Sequence, residues 1–230
     1  MRRSYASAFA AITPLLAGAC ATFATVRSAD VRPGPSVAMH ASYSTPPGDV
    51  AGWFWSYDCV SRCSFATPGI DLGYTYGWRR PDSVRAVALG VGVNSFYPYV
   101  DGYMQLASGQ RPYGVGVRVG LPVQSWRQHQ LYARYDIPLS ERTRLLVNPG
   151  ILLHEGRTPS GQTSGHFVGL VQGVGLEFMG RNVSWTPAVA VVAGQAQRRD
   201  YFARLGPERR VFAMASLGFT VHRARSTGTR

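Results

Sequence analysis

From Gly69 onward, apolar residues recur at every second position in segment after segment. Tyr113, Val115, Val117, Val119 and Leu121 fall on one face of an extended chain, while Gly114, Gly116, Arg118 and Gly120 fall on the other. A period of two is the strand signature, because successive side chains of extended backbone point to opposite sides. The same pattern sets Val87, Leu89, Val91 and Val93 against Ala86, Ala88, Gly90 and Gly92. Ile70, Leu72, Tyr74, Tyr76 and Trp78 likewise oppose Asp71, Gly73, Thr75 and Gly77, and Leu131, Ala133, Tyr135 and Ile137 oppose Tyr132, Arg134 and Asp136. A water-soluble sandwich alternates too, but it puts bulk inside. Here the bulky face is apolar, and its opposite is glycine with single polar residues. A transmembrane barrel requires that arrangement, since its outer face meets lipid and its inner face lines a narrow lumen.

Nine such segments follow one another, near 69–78, 84–94, 99–107, 113–121, 129–138, 143–154, 165–179, 182–194 and 209–222. Single-chain bacterial barrels have even strand numbers. The stretch from Ala51 to Tyr57, with Ala51, Trp53, Trp55 and Tyr57 on one face, supplies a tenth at the front. Connection lengths agree with ten, because such barrels alternate short periplasmic turns with longer outer loops. The short turns fall at 79–83, 108–112, 139–142 and 180–181, and the outer loops at 122–128, 155–164 and 195–208. The reading is therefore an all-β, antiparallel up-and-down transmembrane β-barrel of about ten strands over residues 50–222. An eight-stranded count is the alternative, and it breaks the alternation of connections. Trp53, Trp55, Trp78, Tyr97, Tyr99, Trp126, Tyr132 and Trp185 lie near strand ends, where interfacial aromatic girdles form.

The chain opens with Met1-Arg2-Arg3 and a mostly apolar stretch from Ala8 to Ala19, which read together as a signal peptide over residues 1–19. Thr13 and Pro14 interrupt that stretch, and it falls short of the roughly twenty apolar residues of a spanning helix. Residues 20–49 are rich in Ser, Thr, Pro and Ala with little periodicity, and read as a flexible tether. Arg32-Pro33-Gly34-Pro35 and Pro46-Pro47 work against helix there. Residues 223–230 form a basic tail.

Composition changes the picture in one respect. A charged share of 16% is well below the roughly 25% of soluble domains, which fits an apolar setting. The formal charge of +12 would ordinarily point to nucleic acid. All 24 basic residues are Arg, however, scattered singly or in pairs, with no basic helix and no clustered basic and aromatic platform. Nucleic acid is not an expected partner, and contact with lipid phosphates is the simpler use of these side chains.

Leu15-Leu16-Ala17-Gly18-Ala19-Cys20 resembles the lipobox of bacterial lipoproteins, although Ala17 stands where that family usually has Leu. The resemblance implies that Cys20 carries lipid and anchors the mature N-terminus. The other reading is ordinary cleavage after an Ala-x-Ala-like site. Cys59 and Cys63, separated by three residues in an exported segment, read as a disulfide. His40 and His129 offer no ligand spacing beside them, so neither a metal nor any other cofactor is expected.

From about residue 50 to 222 the chain resembles the small outer-membrane β-barrel proteins of Gram-negative bacteria. The resemblance implies a cell outer membrane location, lipid and lipopolysaccharide as surroundings, and insertion by the barrel-assembly machinery. The last strand carries Phe219 and is followed by Arg223 to Arg230, which departs from that family's aromatic chain end.

Six ionisable residues share the inner face of this pattern: Asp71, Asp101, Arg118, Arg134, Asp136 and Glu177. In a small barrel such groups pair across the lumen, so that no charge is buried alone. For catalysis the best cluster is the outer rim with His154, Glu155, Ser160, Ser164 and His166, a nucleophile, base and carboxylate in principle. No Gly-x-Ser-x-Gly elbow accompanies it. The favoured function is a non-enzymatic outer-membrane barrel lipoprotein with a structural or surface-recognition role. The alternatives are a lipid-modifying enzyme using the rim cluster, a soluble lipocalin-like ligand-binding barrel, and a small pore.

Overall fold

The computed structural model describes residues 25–45, 67–80, 83–94, 97–121, 126–157, 163–198 and 208–222. They form ten strands: β1 (Gly34–Thr45), β2 (Thr67–Arg79), β3 (Ala86–Asn94), β4 (Tyr97–Ala107), β5 (Tyr113–Gly120), β6 (Trp126–Pro138), β7 (Thr143–Arg157), β8 (Thr163–Met179), β9 (Val183–Arg198) and β10 (Glu208–His222). Each strand pairs antiparallel with its neighbours in sequence, and β1 closes the barrel against β10, with Ser36 opposite His222. Closure leaves no edge with unpaired backbone groups, a condition that lipid imposes on any spanning sheet.

The nine strands read from Gly69 onward correspond to β2 through β10. The tenth differs. Its place is taken by β1 at Gly34–Thr45, inside the stretch whose composition reads as a tether, while Ala51 to Tyr57 lies outside the described residues. β1 does alternate, with Val37, Met39 and Tyr43 exposed on the outer face and Ala38, His40 and Ser42 buried inside. Its small and hydroxylated residues mute the signal that Trp and Phe advertise a few positions later.

The connections at 80–85, 108–112, 139–142 and 180–182 lie at one rim. The start of β1 and the end of β10 share it, since Gly34 faces Gly77 and Ser36 faces His222. At the opposite rim lie the strand ends Thr45 and Thr67, Asn94 and Tyr97, Gly120 and Trp126, Arg157 and Thr163, and Arg198 and Glu208.

The two faces of the wall are inverted relative to a soluble protein. Leu170 is 68% exposed, Val189 60% and Leu89 56%, whereas Asp71, Gln105 and Asp136 are fully buried. Toward the short-turn rim the outer face carries rings: Tyr76 against Trp78 with centroids 4.7 Å apart, and Phe178 stacked on Trp185 at 4.4 Å. Two aromatics assigned to a girdle by their place along the chain are inside instead. Tyr99 and Tyr132 are buried in the lumen, because each falls on the inward parity of its strand and finds charged partners there.

Two prolines mark the gaps in the hydrogen-bond ladder. Pairing of β6 with β7 lapses between Tyr132–Gly150 and Tyr135–Val147, opposite Pro149. Pairing of β8 with β9 lapses between Gly175–Ala188 and Phe178–Trp185, opposite Pro187. Proline has no N–H to donate to the ladder. Pairing resumes in the same register on both sides, so each gap loosens the wall without shifting it.

Candidate functional site

At about eight strands a barrel interior is just filled by side chains. This one has ten, and much of its inner face is glycine. The remaining space is taken by the chain itself: residues 25–33 run through the lumen, leave it at the short-turn rim and turn into β1. Gly34 makes that reversal with φ of +94°, in the left-handed region open to glycine and strained for other residues.

Three lumen side chains capture the backbone of this segment at alternate residues. The N–H of Arg27 donates to Asn148 Oδ1 at 2.7 Å, that of Ala29 to Asp136 Oδ1 at 2.8 Å and that of Val31 to Gln105 Oε1 at 2.9 Å. Tyr103 Oη donates to the Ala29 carbonyl at 3.1 Å. Extended chain inside a barrel has no neighbouring strand to pair with, and an unpaired buried N–H is costly, so β7, β6 and β4 supply the acceptors from side chains. Contacts of shape accompany them. Val26 is buried with Leu146 and Ala188, and Ala29 and Val31 with Ala86, Ala88, Tyr103 and Tyr132. A Cβ on Gly173 would lie 2.7 Å from Val26 Cγ2, and one on Gly77 would collide with the Arg32 carbonyl oxygen. At both places the wall has glycine where the segment comes closest.

Charge is arranged in two tiers. In the tier nearer the long-loop rim, Asp71 accepts from Arg118 at 3.1 Å and from Arg27 of the threaded segment at 2.7 Å. Asp101 lies 3.6 Å from Arg118, 3.7 Å from Arg134 and 3.9 Å from Arg27. Tyr99 Oη donates to Asp71 at 3.0 Å and Tyr132 Oη to Asp101 at 2.5 Å. The same rings lie under the cations, with Arg118 4.1 Å from the Tyr99 centroid and Arg134 4.6 Å from that of Tyr132. Arg27 Nε also donates to His40 Nε2 at 3.3 Å.

In the tier at the short-turn rim, Asp30 of the segment bridges Arg79 at 2.8 Å and Arg144 at 3.3 Å. Asp136 lies 3.4 Å from Arg144 and accepts the Ser28 hydroxyl at 2.5 Å. Burial acts to raise the Asp30 carboxyl, but the hydrogen bond from Arg79 and the charge of Arg144 outweigh it and hold it below the ordinary carboxylate range. A cavity of about 90 Å³ remains beside the segment, lined in part by Asp30, Arg32, Glu177, Thr220 and His222.

All six inner-face ionisable residues named from the pattern are buried: Asp71, Asp101, Arg118, Arg134 and Asp136 in the network just described, and Glu177 against the cavity. Half of the network was not legible in that pattern. Arg27, Ser28 and Asp30 lie in the stretch read as tether, Arg79 in the turn read at 79–83, and Arg144 in a strand whose inner-face charge was not picked out. One signal was available, a short mixed-charge run closed by Pro33-Gly34-Pro35, which is a turn formula directly ahead of alternating residues.

The rim residues do not assemble on one face. His154 is buried on the inner side of β7, while Glu155 and its cross-strand partner His166 fall on the outer parity. Ser160 lies outside the described residues, and Ser164 stands in β8 at the long-loop rim. Cys20, Cys59 and Cys63 also lie outside the described residues. Among the described residues, no three His, Cys, Asp or Glu side chains are grouped so as to hold a metal ion.

No known family's sequence profile matches the chain, and no curated protein sequence matches it. Solved structures do. The Neisserial surface protein A (NspA) aligns over 83% of this chain and 97% of its own, at 12% identity and a TM-score of 0.39. The beta domain of the Bordetella autotransporter BrkA aligns over 83% and 99%, at 10% identity and 0.35. Ail, the attachment invasion locus protein of Yersinia pestis, aligns over 82% and 99%, at 13% identity and 0.29. At these identities the likeness carries nothing about function.

Proposed function

We propose that this protein is a non-enzymatic integral barrel of the Gram-negative outer membrane, with a structural or surface-recognition role carried by its long-loop rim. One observation carries the reading: a closed wall whose outer face is apolar all round, wrapped about an interior already filled by the chain's own segment and its ion pairs. An apolar exterior of this extent has no use in water. The filled interior leaves no ligand chamber of lipocalin type. The rim candidates for catalysis are divided between the two faces of the wall, which is a poor start for a nucleophile and its base.

In this reading the short turns face the periplasm, the long loops face outward, and the partners are outer-membrane lipids, lipopolysaccharide and the barrel-assembly machinery. A lipid on Cys20 belongs to the same proposal with a geometric condition. Thr25 touches Arg118 inside the lumen at 3.2 Å, and five extended residues reach at most about 18 Å. The lipid would then reach the bilayer past the long-loop rim, and the mass of the mature N-terminus shows whether it is there.

The membrane reading is tested on purified full-length protein. Unboiled in mild detergent it should migrate as a compact band that shifts on heating, and it should float with phospholipid vesicles in a density gradient. A chain that stays monodisperse in buffer without detergent and leaves the vesicles behind would sink the proposal.

A further inference from the structure

The threaded segment poses a question that a structural role does not answer: why the wall carboxylates Asp71, Asp101 and Asp136 have arginine partners on the wall without it. Asp71 has Arg118, Asp101 has Arg118 and Arg134, and Asp136 has Arg144, all from strand to strand. Removing Arg27 and Asp30 therefore leaves each of these three carboxylates with a cation of the wall at hand, and Arg79, partly exposed at the rim, keeps its hydrogen bond to Gln105. The segment in turn holds the wall mainly by polar means. Its apolar anchors, Val26, Ala29 and Val31, are small, and its remaining contacts are hydrogen bonds and ion pairs that water can replace. It joins the barrel at one point, through Pro33 and Gly34 at the short-turn rim. The column it occupies is bordered by glycines, among them Gly73, Gly77 and Gly173.

We propose that the lumen is an ion-conducting pore closed by residues 25–32, with Arg27 on Asp71 and Asp30 between Arg79 and Arg144 as its latch. With the segment seated, the cavity left beside it among the described residues is only about 90 Å³. With it withdrawn, a ten-stranded wall lined by glycine and by carboxylates that keep arginine partners on the wall encloses a water-filled column, because side chains alone fill a barrel of about eight strands and not more. The inference goes beyond the structural role and rests on the barrel being in a bilayer.

The experiment is single-channel recording in planar bilayers on the full chain carrying Cys20→Ser, Cys59→Ser and Cys63→Ser, alone and combined with the latch variant Arg27→Ala/Asp30→Ala. A third protein adds Val26→Cys and Gly173→Cys to the latch variant. A Cβ at position 173 lies close enough to residue 26 for a disulfide between the two cysteines. The protein with the latch intact should be closed almost throughout. The latch variant should show discrete openings with total open time raised at least about tenfold, since the three charge-assisted contacts of the latch are lost. The bridged variant should be silent when oxidised and open after dithiothreitol. Latch and reduced variants that stay silent while still heat-modifiable and vesicle-bound would overturn the pore and leave the membrane reading standing, as would conductance that persists in the oxidised bridge. Failure to float with vesicles would overturn both.

Discussion

Asp71 is the residue on which most of the lumen converges: two arginines, a tyrosine hydroxyl and no solvent. Asparagine fills the same volume but neutralises the acceptor, leaving Arg27 and Arg118 to share Asp101 alone at 3.9 and 3.6 Å. Breaking a buried pair from one side costs about 3–5 kcal/mol, since the abandoned charge is what destabilises. Asp71→Asn should lose about that much in urea unfolding from vesicles, and the double change Asp71→Asn/Arg118→Met should recover part of it. No recovery in the double variant would mean that the pair does not carry the energy. The legibility of the site divides along the same line. Asp71 was visible because it interrupts a face of small residues in a strong strand, whereas Arg27 and Asp30 interrupt nothing periodic and could be recognised only once the wall that receives them was built.

Strands β2 to β10 were legible because each has a lipid-facing row of large apolar residues against small ones, so the period of two stands out over eight or more positions. β1 has Ser, Ala and His on one face and Val, Met, Ala and Tyr on the other, and that contrast is weak beside the cluster of aromatics at Trp53, Phe54 and Trp55. Composition therefore favoured a tether and moved the strand downstream. The two assignments are separated by a charge on the outer face of β1. Met39 is 44% exposed, one residue from the buried His40. If β1 spans the bilayer, Met39→Arg should cost about 2–4 kcal/mol of stability in vesicles, as Leu89→Arg should on β3. In a tether Met39→Arg would be neutral, and in a soluble barrel both changes would be tolerated and improve solubility. Stability measured in vesicles for the two variants side by side reads the membrane and the strand separately.

On the scale of the whole molecule, what a strand pattern cannot convey is volume. Alternation says which side of a strand is inner, but not how much space ten inner faces enclose, and the small residues that look like a narrow lumen are equally the walls of a seat. The segment at residues 25–33 belongs to the fold only because closure at ten strands leaves room that side chains do not fill, a property of strand number and not of any one residue. Its backbone gives a direct reading of this. A flexible tether exchanges its amide hydrogens with solvent within seconds, but the N–H groups of Arg27, Ala29 and Val31 are each held by a buried acceptor at 2.7 to 2.9 Å. Peptides covering residues 25–33 should therefore keep three of their amide deuterons for as long as peptides of the mid-wall strands keep theirs, since exchange follows the opening that exposes each bond. Protection lost in Arg27→Ala/Asp30→Ala while β3 and β5 stay protected would mean the segment opens apart from the wall, which a gate requires. Loss of protection in the segment and the strands together would make it an inseparable part of the core, with the barrel and its contents unfolding as one unit.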